Sequence, residues 1–316
     1  MAGQATVFRK ELADQLSSRR FVILLALVCI AGLSAIYVAA QSIRADLAET
    51  TSQSFVFLRL LTTSSDVLPP FVSFVAFFGP LVGLALGFDA INREQSSGTL
   101  GLVLSQPVFR DAVINGKFLA GVTTIAFMLV SIVLIVTGLG LKMLGIPPSF
   151  EEVMRIVAYL GVSIVYISFW MALAMLFSIL FRRITTSALA GIAVWMFFVF
   201  FMSMIAGIMA DRVAPVDEES DIEAILRHER VAQMVMRVSP STLYSEATVT
   251  ILVPTWRNVS GPVLIRAMVG GMIPGPLPLS QSLMLVWPHL IGMIALMLVC
   301  FAASYTVFMR QEIRPP

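Results

Sequence analysis

Charged residues are scarce in this sequence. Asp, Glu, Lys and Arg make up 13% of its 316 residues, against about one quarter in typical soluble domains. Hydrophobic residues account for 58%, and the mean hydropathy is +0.91. This composition indicates a membrane protein rather than a soluble one. The net charge of +2 gives no reason to expect a nucleic-acid partner.

Cysteine is equally rare, since only Cys29 and Cys300 are present, far apart and inside apolar runs. This arrangement provides neither the CxxC spacing of a zinc site nor the cysteine pairs of a disulfide-stabilised secreted domain. No cluster of Cys or His accompanies the 18 methionines, so they indicate adaptable apolar packing rather than a copper site. We therefore expect no metal ion and no cofactor on this chain.

Motifs for catalysis and energy conversion are also missing. The tripeptide "NGK" at 115–117 lacks the earlier glycine of a phosphate-binding loop, and no G-x-S-x-G sequence is present to pair with His289. That histidine is interpreted as an interfacial or packing residue. The apolar runs contain no Asp, Glu, Lys or Arg to hold a coupling ion within the bilayer. The sequence predicts that the chain is not an enzyme, has no catalytic residues and takes its energy from another subunit.

Six uncharged stretches reach or approach the length of about 20 residues that crosses a bilayer as a helix. They are Phe21–Ala40, Pro69–Phe88, Phe118–Leu141, Ile156–Phe181, Ile184–Ala210 and Leu283–Met309. We predict an all-α polytopic membrane protein with six transmembrane helices, forming a single domain over residues 1–316.

The distribution of Lys and Arg predicts the orientation of these helices. Basic residues are more frequent at the two termini and in the turns after the second and fourth stretches than in the short loops opposite. Both termini are therefore expected in the cytoplasm, in a multi-pass protein of the cytoplasmic membrane. Residues 211–282 are then extracytoplasmic. Their acidic start, apolar positions and late arginines before Pro240 predict an amphipathic helix.

Residues 1–20 carry a narrow apolar stripe ahead of the first span. Phe8, Leu12 and Leu16 lie four residues apart, with charged residues between them. Such a stripe is typical of a helix that lies on the cytoplasmic leaflet. The alternative is an ordinary positively charged flank.

A polar segment at 93–117 separates the second and third spans and is longer than a simple turn requires. Gly98 permits a sharp turn, and "TLGLVL" places Leu100 and Leu104 on one face of a short apolar helix. A face of this size cannot form a core of its own, so we expect a partner to bury it. The alternative is a solvated loop.

The sequence "NREQSSGTLGLVLSQPVFRDAVINGKFL" resembles the ABC-2 type permeases, and among them the NosY-like group. The shared pattern is a Glu, Gly-Thr-Leu, a Leu-rich turn, Pro, Arg and Gly-Lys. Weaker matches are "SPSTLYSEA" and "YTVFMRQEIRP", and the six-span layout extends the resemblance over the whole chain. In that family the segment between helices two and three is the coupling helix that contacts the ATPase subunit. The resemblance implies coupling roles for seven residues: Glu94, Gly98, Thr99, Leu100, Pro107, Arg110 and Lys117. The apolar face described above adds Leu104 to this set.

The resemblance implies a permease that pairs with a second copy or a close paralogue and with separately encoded ABC ATPase subunits, which carry ATP and Mg. Spans without ionisable residues favour export of a lipophilic cargo, or force transmission to an extracytoplasmic protein partner, with membrane lipid around the chain. One alternative is a NosY-like permease of a copper-processing complex, which stoichiometric bound metal would support. Another is a non-transport membrane scaffold, which purification without any ATPase would support.

Overall fold

The computed structural model describes residues 2–49, 55–64, 68–96, 98, 109–216, 222–254 and 277–310. All regular structure in these ranges is helical. In chain order the helices are α1 Ala2–Leu16, α2 Arg19–Glu49, α3 Val56–Thr62, α4 Phe71–Gly87, α5 Asn92–Ser96, α6 Arg110–Leu144, α7 Phe150–Leu180, α8 Ile184–Met196, α9 Met202–Val213, α10 Ile222–Met236, α11 Pro240–Leu252 and α12 Leu279–Arg310. A π-helical turn, Phe197–Phe201, joins α8 to α9.

Six helical segments within the described ranges are long and apolar enough to cross a membrane: α2, α4 with α5, α6, α7, α8 with α9, and α12. The predicted all-α fold with six spans is confirmed. The helices run beyond the apolar stretches, because hydropathy marks only their lipid-facing length. In α7, for example, the start is fixed by a capping box, in which Ser149 and Glu152 each accept a hydrogen bond from the other's backbone N–H.

Internal contacts divide the chain into two compact units. One comprises Met1–Ile192 with Ile294–Pro316, and the other comprises Ala193–Met293. The expectation of one functional domain over residues 1–316 stays a prediction.

In the first unit, α4 lies against α7 along three glycines spaced four residues apart, Gly79, Gly83 and Gly87. A Cβ atom added to Gly83 would lie 2.5 Å from the Ile167 carbonyl oxygen, and one added to Gly87 would lie 2.5 Å from the Met171 carbonyl oxygen. Small residues at this spacing let membrane helices approach until their backbones touch. These glycines therefore determine how closely α4 and α7 pack.

Helix α1 packs along the first part of α6. Val7 covers Gly116, and the Thr124 hydroxyl donates a 2.8 Å hydrogen bond to the side-chain oxygen of Gln15. The predicted apolar stripe of α1 is half-buried. Its position on a membrane surface stays a prediction.

The short helix α3 was not predicted, and a buried carboxylate of α7 holds its first turn. Glu152 Oε1 accepts a 2.9 Å hydrogen bond from the Phe57 N–H, one of the amides at a helix start that have no helical carbonyl partner. One turn later in α7, Arg155 is fully buried and pairs with Glu151 at 2.8 Å. A helix of two turns shows no clear periodicity in sequence, so this capping emerges only from the fold.

A hydrophobic cluster in the first unit joins helix ends next to the polar segment 93–117. Its fully buried members come from the α4–α5 turn, α6, α7 and α12: Ile91, Ile114, Met175, Ile179 and Phe308. Beside it, the rings of Phe118 and Phe301 lie 4.3 Å apart between centroids. The cluster gives the turn before α5 and the start of α6 a packed base.

In the second unit, α9 packs against α10, the amphipathic helix predicted within 211–282. Helix α10 ends at Met236, before the expected stop at Pro240. Pro240 instead begins α11, because the fixed φ and missing N–H of proline suit the first helical position. Residues 217–221 and 255–276 lie outside the described ranges, and the extracytoplasmic location of 211–282 stays a prediction.

Candidate functional site

Three helices meet at a buried lysine, which is the last residue of the segment 93–117. Lys117 Nζ on α6 lies 2.8 Å from Glu94 Oε1 on α5 and 2.9 Å from Glu11 Oε1 on α1. Only 6% of the lysine side chain is exposed, so two charge-assisted hydrogen bonds replace its lost hydration. We call Glu11, Glu94 and Lys117 the lysine cluster.

A second ion pair ties α2 to the turn between α4 and α5. Arg20, at the start of α2, lies 2.5 Å from Asp89 in that turn. The Arg20 guanidinium also lies 5.3 Å from the centroid of the Phe88 ring, within range of a cation–π interaction. The base of α5 is thus held from the side of α2 as well as from α6.

The turn between α4 and α5 is also bonded to the end of α7. The Ser178 hydroxyl oxygen accepts hydrogen bonds from the N–H groups of Ile91 and Asn92, at 3.0 and 3.1 Å. The Asn92 side-chain amide donates to the Phe181 carbonyl oxygen at 3.4 Å. Helix α5 therefore projects from a fixed turn.

A cavity of about 710 Å³ lies between these elements. Its wall includes α1, the start of α2, the α4–α5 turn and Lys117, and its apolar lining includes Met171 and Met175 of α7. Five cationic and four anionic side chains line it: Lys10, Arg19, Arg20, Arg93 and Lys117 with Glu11, Asp14, Asp89 and Glu94.

The structure brings two of the predicted coupling residues together, Glu94 and Lys117. Arg110 begins α6, and Gly98 has a φ of 69°, in the left-handed region that favours glycine. The remaining predicted residues lie outside the described part of the chain: Thr99, Leu100, Leu104 and Pro107. Their coupling roles, and those of the described four, stay predictions.

Sequence reasoning missed Glu11 and Arg20 as members of this region. Glu11 is 106 residues from Lys117, and Arg20 is 69 residues from Asp89. Local spacing reveals only charges that lie about one turn apart on the same helix. The available signal was weaker, namely that Arg20, Asp89 and Lys117 each stand at the polar edge of an apolar stretch.

A separate polar network in the second unit centres on Glu246 of α11. Its Oε2 lies 2.7 Å from His289 Nε2 and 2.9 Å from Arg237 Nε. Burial alone would raise the pKa of Glu246, but the hydrogen bonds and positive charge of His289 and Arg237 outweigh it and lower that pKa. His289 thus has an acidic partner that the sequence did not reveal. Across the described residues, no group of three or more His, Cys, Asp or Glu is placed to hold a metal ion.

Comparison with known proteins gives two findings. The family model described as "ABC-2 family transporter protein" matches residues 5–313. A protein of Pseudomonas aeruginosa named "Probable ABC transporter permease protein NosY" is 26% identical over 200 residues, which cover 61% of this chain and 66% of the relative. The chain therefore spans slightly less than two thirds of that relative's length.

Proposed function

The chain belongs to the ABC-2 family of transporter proteins, and on this premise we propose that it is the permease subunit of an ABC transporter. A separate subunit hydrolyses ATP and binds the nucleotide and Mg. The relative whose name includes "permease" supports this role. The six candidate spans support it as well, because they make the chain a multi-pass membrane protein.

The observation that carries the proposal is the lysine cluster. Helix α5 ends at Ser96, and the chain returns to the described structure at Phe109, just before α6. The predicted coupling residues lie between and beside these two points. Since Lys117 links α5 to α1 as well as to α6, a push on the segment 93–117 is delivered directly to the third span and to the N-terminal helix.

The working assembly contains two permease copies, or one copy with a close paralogue, and two ATPase subunits. Among the described residues, 11% of the most apolar 18-residue stretch of α12 is buried within the chain. The corresponding share is 17% for the α8–α9 span and 72% for α7. Those two spans therefore offer apolar surface to a second copy and to lipid. The basic residues at both termini support a cytoplasmic location for each end, in the cytoplasmic membrane.

The cargo is lipophilic, or the chain transmits force to an extracytoplasmic partner. Apolar span centres offer few polar groups to a hydrated ion, which favours a cargo that tolerates an apolar path. For force transmission, the segment 211–282 provides the outer contact. ATP binding and hydrolysis by the partner drive either process.

The test begins with tagged chain purified from its native membrane in mild detergent. An ATPase subunit with a phosphate-binding loop should co-purify, and the complex should hydrolyse ATP while the isolated chain does not. Purification without any ATPase, or hydrolysis by the isolated chain, would contradict the proposal.

A variant of the lysine cluster tests the transmission of force. Lys117→Met combined with Glu11→Gln and Glu94→Gln removes all three charges without leaving a buried charge unpaired. This variant should retain the ATPase but lose the ATP-dependent change in labelling rate of a cysteine introduced at Ser203. Lys142→Met, at the exposed far end of α6, is the matched control and should behave as the parent. An unchanged labelling response in the triple variant would exclude the cluster from coupling.

A further inference from the structure

The cavity beside the lysine cluster carries an excess of positive charge. The two positive charges of Lys10 and Lys117 neutralise the two negative charges of Glu11 and Glu94. Lys10 Nζ lies 3.6 Å from Glu11 Oε1. The whole lining has five cations and four carboxylates, which leaves a net charge of +1. Arg19 has no ion pair in the part of the chain that the structure describes. Its planar guanidinium suits bidentate binding of phosphate oxygens.

The start of a long helix faces the same cavity. Ser17, Ser18, Arg19 and Arg20 all line it, and α2 begins at Arg19 and runs for 31 residues. The helix dipole makes this end positive, and the Ser18 hydroxyl oxygen already accepts a hydrogen bond from the Phe21 N–H at 3.1 Å. An anion in the cavity therefore meets the positive end of α2 together with the Arg19 guanidinium.

The cavity also has an apolar side. Ala85 and Leu86, in the last turn of α4, and Met171 and Met175 of α7 contribute to its lining. Ala85 and Leu86 stand four and three residues before Asp89, where the apolar sequence of α4 gives way to charged sequence, whereas Met171 and Met175 are almost fully buried, with 1% exposed. A ligand that fits both sides carries a phosphate close to an apolar body.

We propose that this cavity binds the phosphate of a glycerophospholipid from the cytoplasmic leaflet, with the upper part of its acyl chains against Ala85 and Leu86, two half-buried apolar side chains of the lining. Basic pockets between membrane helices on the cytoplasmic side are suited to lipid headgroups. The leaflet follows from the orientation in the proposed function and so rests on it. The bound lipid touches α1, which the lysine cluster joins to α5 and α6, and also α2 and the α4–α5 turn, which the Arg20–Asp89 pair joins.

Binding is measured with a short-chain phosphatidylglycerol as the probe, by calorimetry on the purified chain in a nonionic detergent. Lys10→Gln with Arg19→Gln should weaken binding on the order of tenfold or more, since each basic residue near a phosphate headgroup contributes about fivefold. The matched control is Arg182→Gln with Arg183→Gln, two exposed arginines in the turn after α7 that do not line the cavity. That control should bind like the parent, whereas an equal loss in both variants would reduce the interaction to general attraction and overturn the proposal.

A change of shape tests the cavity without changing its charge. Ala85→Phe places a ring in the lining and should abolish binding, while Gly161→Phe, where nothing lies within 4 Å of an added Cβ, should not. Unchanged binding by the Ala85→Phe variant would place the lipid elsewhere and overturn the proposal.

Two further ligands distinguish a lipid from a soluble phosphate. Glycerol 3-phosphate should bind far more weakly than the short-chain lipid, because it lacks the apolar body. Equal affinities for glycerol 3-phosphate and the short-chain lipid would mean that the cavity binds a soluble phosphate compound, and would overturn the proposal of a lipid ligand. Retention of the ATPase is measured on the same variants, so that unchanged lipid binding together with intact assembly counts against this inference and not against the proposed function.

Discussion

Lys117 is the residue whose substitution should most destabilise the region around α5. With Met at this position, Glu11 and Glu94 remain largely buried without their shared counter-charge, and breaking a buried pair in this way costs about 3–5 kcal/mol. Thermal unfolding of the purified chain should show this loss for Lys117→Met and not for Lys142→Met. The triple variant with Glu11→Gln and Glu94→Gln should recover most of the stability. A Lys117→Met variant as stable as the control would mean that the three side chains do not share a buried site.

Glu246 makes a different residue-scale prediction, which concerns acid stability. Because the folded pKa of its carboxyl lies below the ordinary value of 4.5, it stabilises the fold above that pH, and the contribution is lost as the pH falls through the lowered folded pKa. Glu246→Gln should therefore lose less thermal stability than the parent between about pH 5 and pH 3. Glu223→Gln, at an exposed glutamate of α10, should retain the parental profile. Superimposable profiles for all three proteins would show that Glu246 is not held by His289 and Arg237.

Among elements, the α4–α7 pair depends on its glycines. Gly83→Leu places a side chain against the Ile167 carbonyl and the Trp170 Cβ, so the two backbones must separate. Overpacking costs about 1–3 kcal/mol in well-packed cores, and a contact with backbone cannot relax by rotamer change. The variant should show a lower unfolding temperature and a reduced yield of monodisperse protein, while Gly161→Leu on the open side of α7 should not. Equal behaviour would mean that α4 and α7 do not approach through these glycines.

The turn after α5 makes the second element-scale prediction. Gly98 has a positive φ of 69°, and no atom of the described residues lies within 4 Å of an added Cβ, so the expectation at this position rests on its backbone conformation. A residue other than Gly, Asn or Asp pays about 1–2 kcal/mol in the left-handed region. Gly98→Val should therefore weaken retention of the ATPase by about tenfold, while Gly98→Asn should retain it. If the Val variant assembles as well as the Asn variant, the turn is not part of the coupling contact.

The elements divide into those that local sequence predicts and those that it does not. The six spans follow from apolar length, and α10 follows from the order of acidic, apolar and basic positions. Helix α3 could not be predicted, because its first turn is held by a carboxylate of α7. Helix α11 could not be predicted, because a proline such as Pro240 is equally compatible with the end of one helix and the beginning of the next. Helix α6 extends beyond its predicted span at both ends and α7 begins six residues before its predicted span, because hydropathy does not detect a helix that continues into polar surroundings.

For the whole molecule, orientation is the central prediction. Cysteines introduced at Ile146 and Arg183 stand at the two ends of α7, in a background lacking Cys29 and Cys300. The distribution of basic residues predicts that an impermeant thiol reagent added outside intact cells labels position 146 and not position 183. Labelling of position 183 and not of position 146 would mean that the chain has the opposite orientation. Labelling of both positions from outside would mean that α7 does not span the membrane.

The candidate site was predictable in location but not in composition. The polar segment 93–117 identified the family, which the family match confirmed, and it contains Glu94 and Lys117. The third member, Glu11, could not be found, because nothing in a local pattern specifies which distant helix supplies a counter-charge. The cavity is a product of the same long-range arrangement, since its lining comes from six helices and the turns between them.

The separation between Glu11 and Lys117 also orders events during biosynthesis. Ribosomes add about 5–20 residues per second, so the 106 residues between these partners take on the order of 5–20 seconds to follow. For that interval the first helix has left the ribosome without its counter-ion, and its acidic side chain must stay in contact with water. Docking of the N-terminal helix is therefore a late step that waits for insertion of the third span, and it completes the lysine cluster only after half of the predicted spans have entered the membrane.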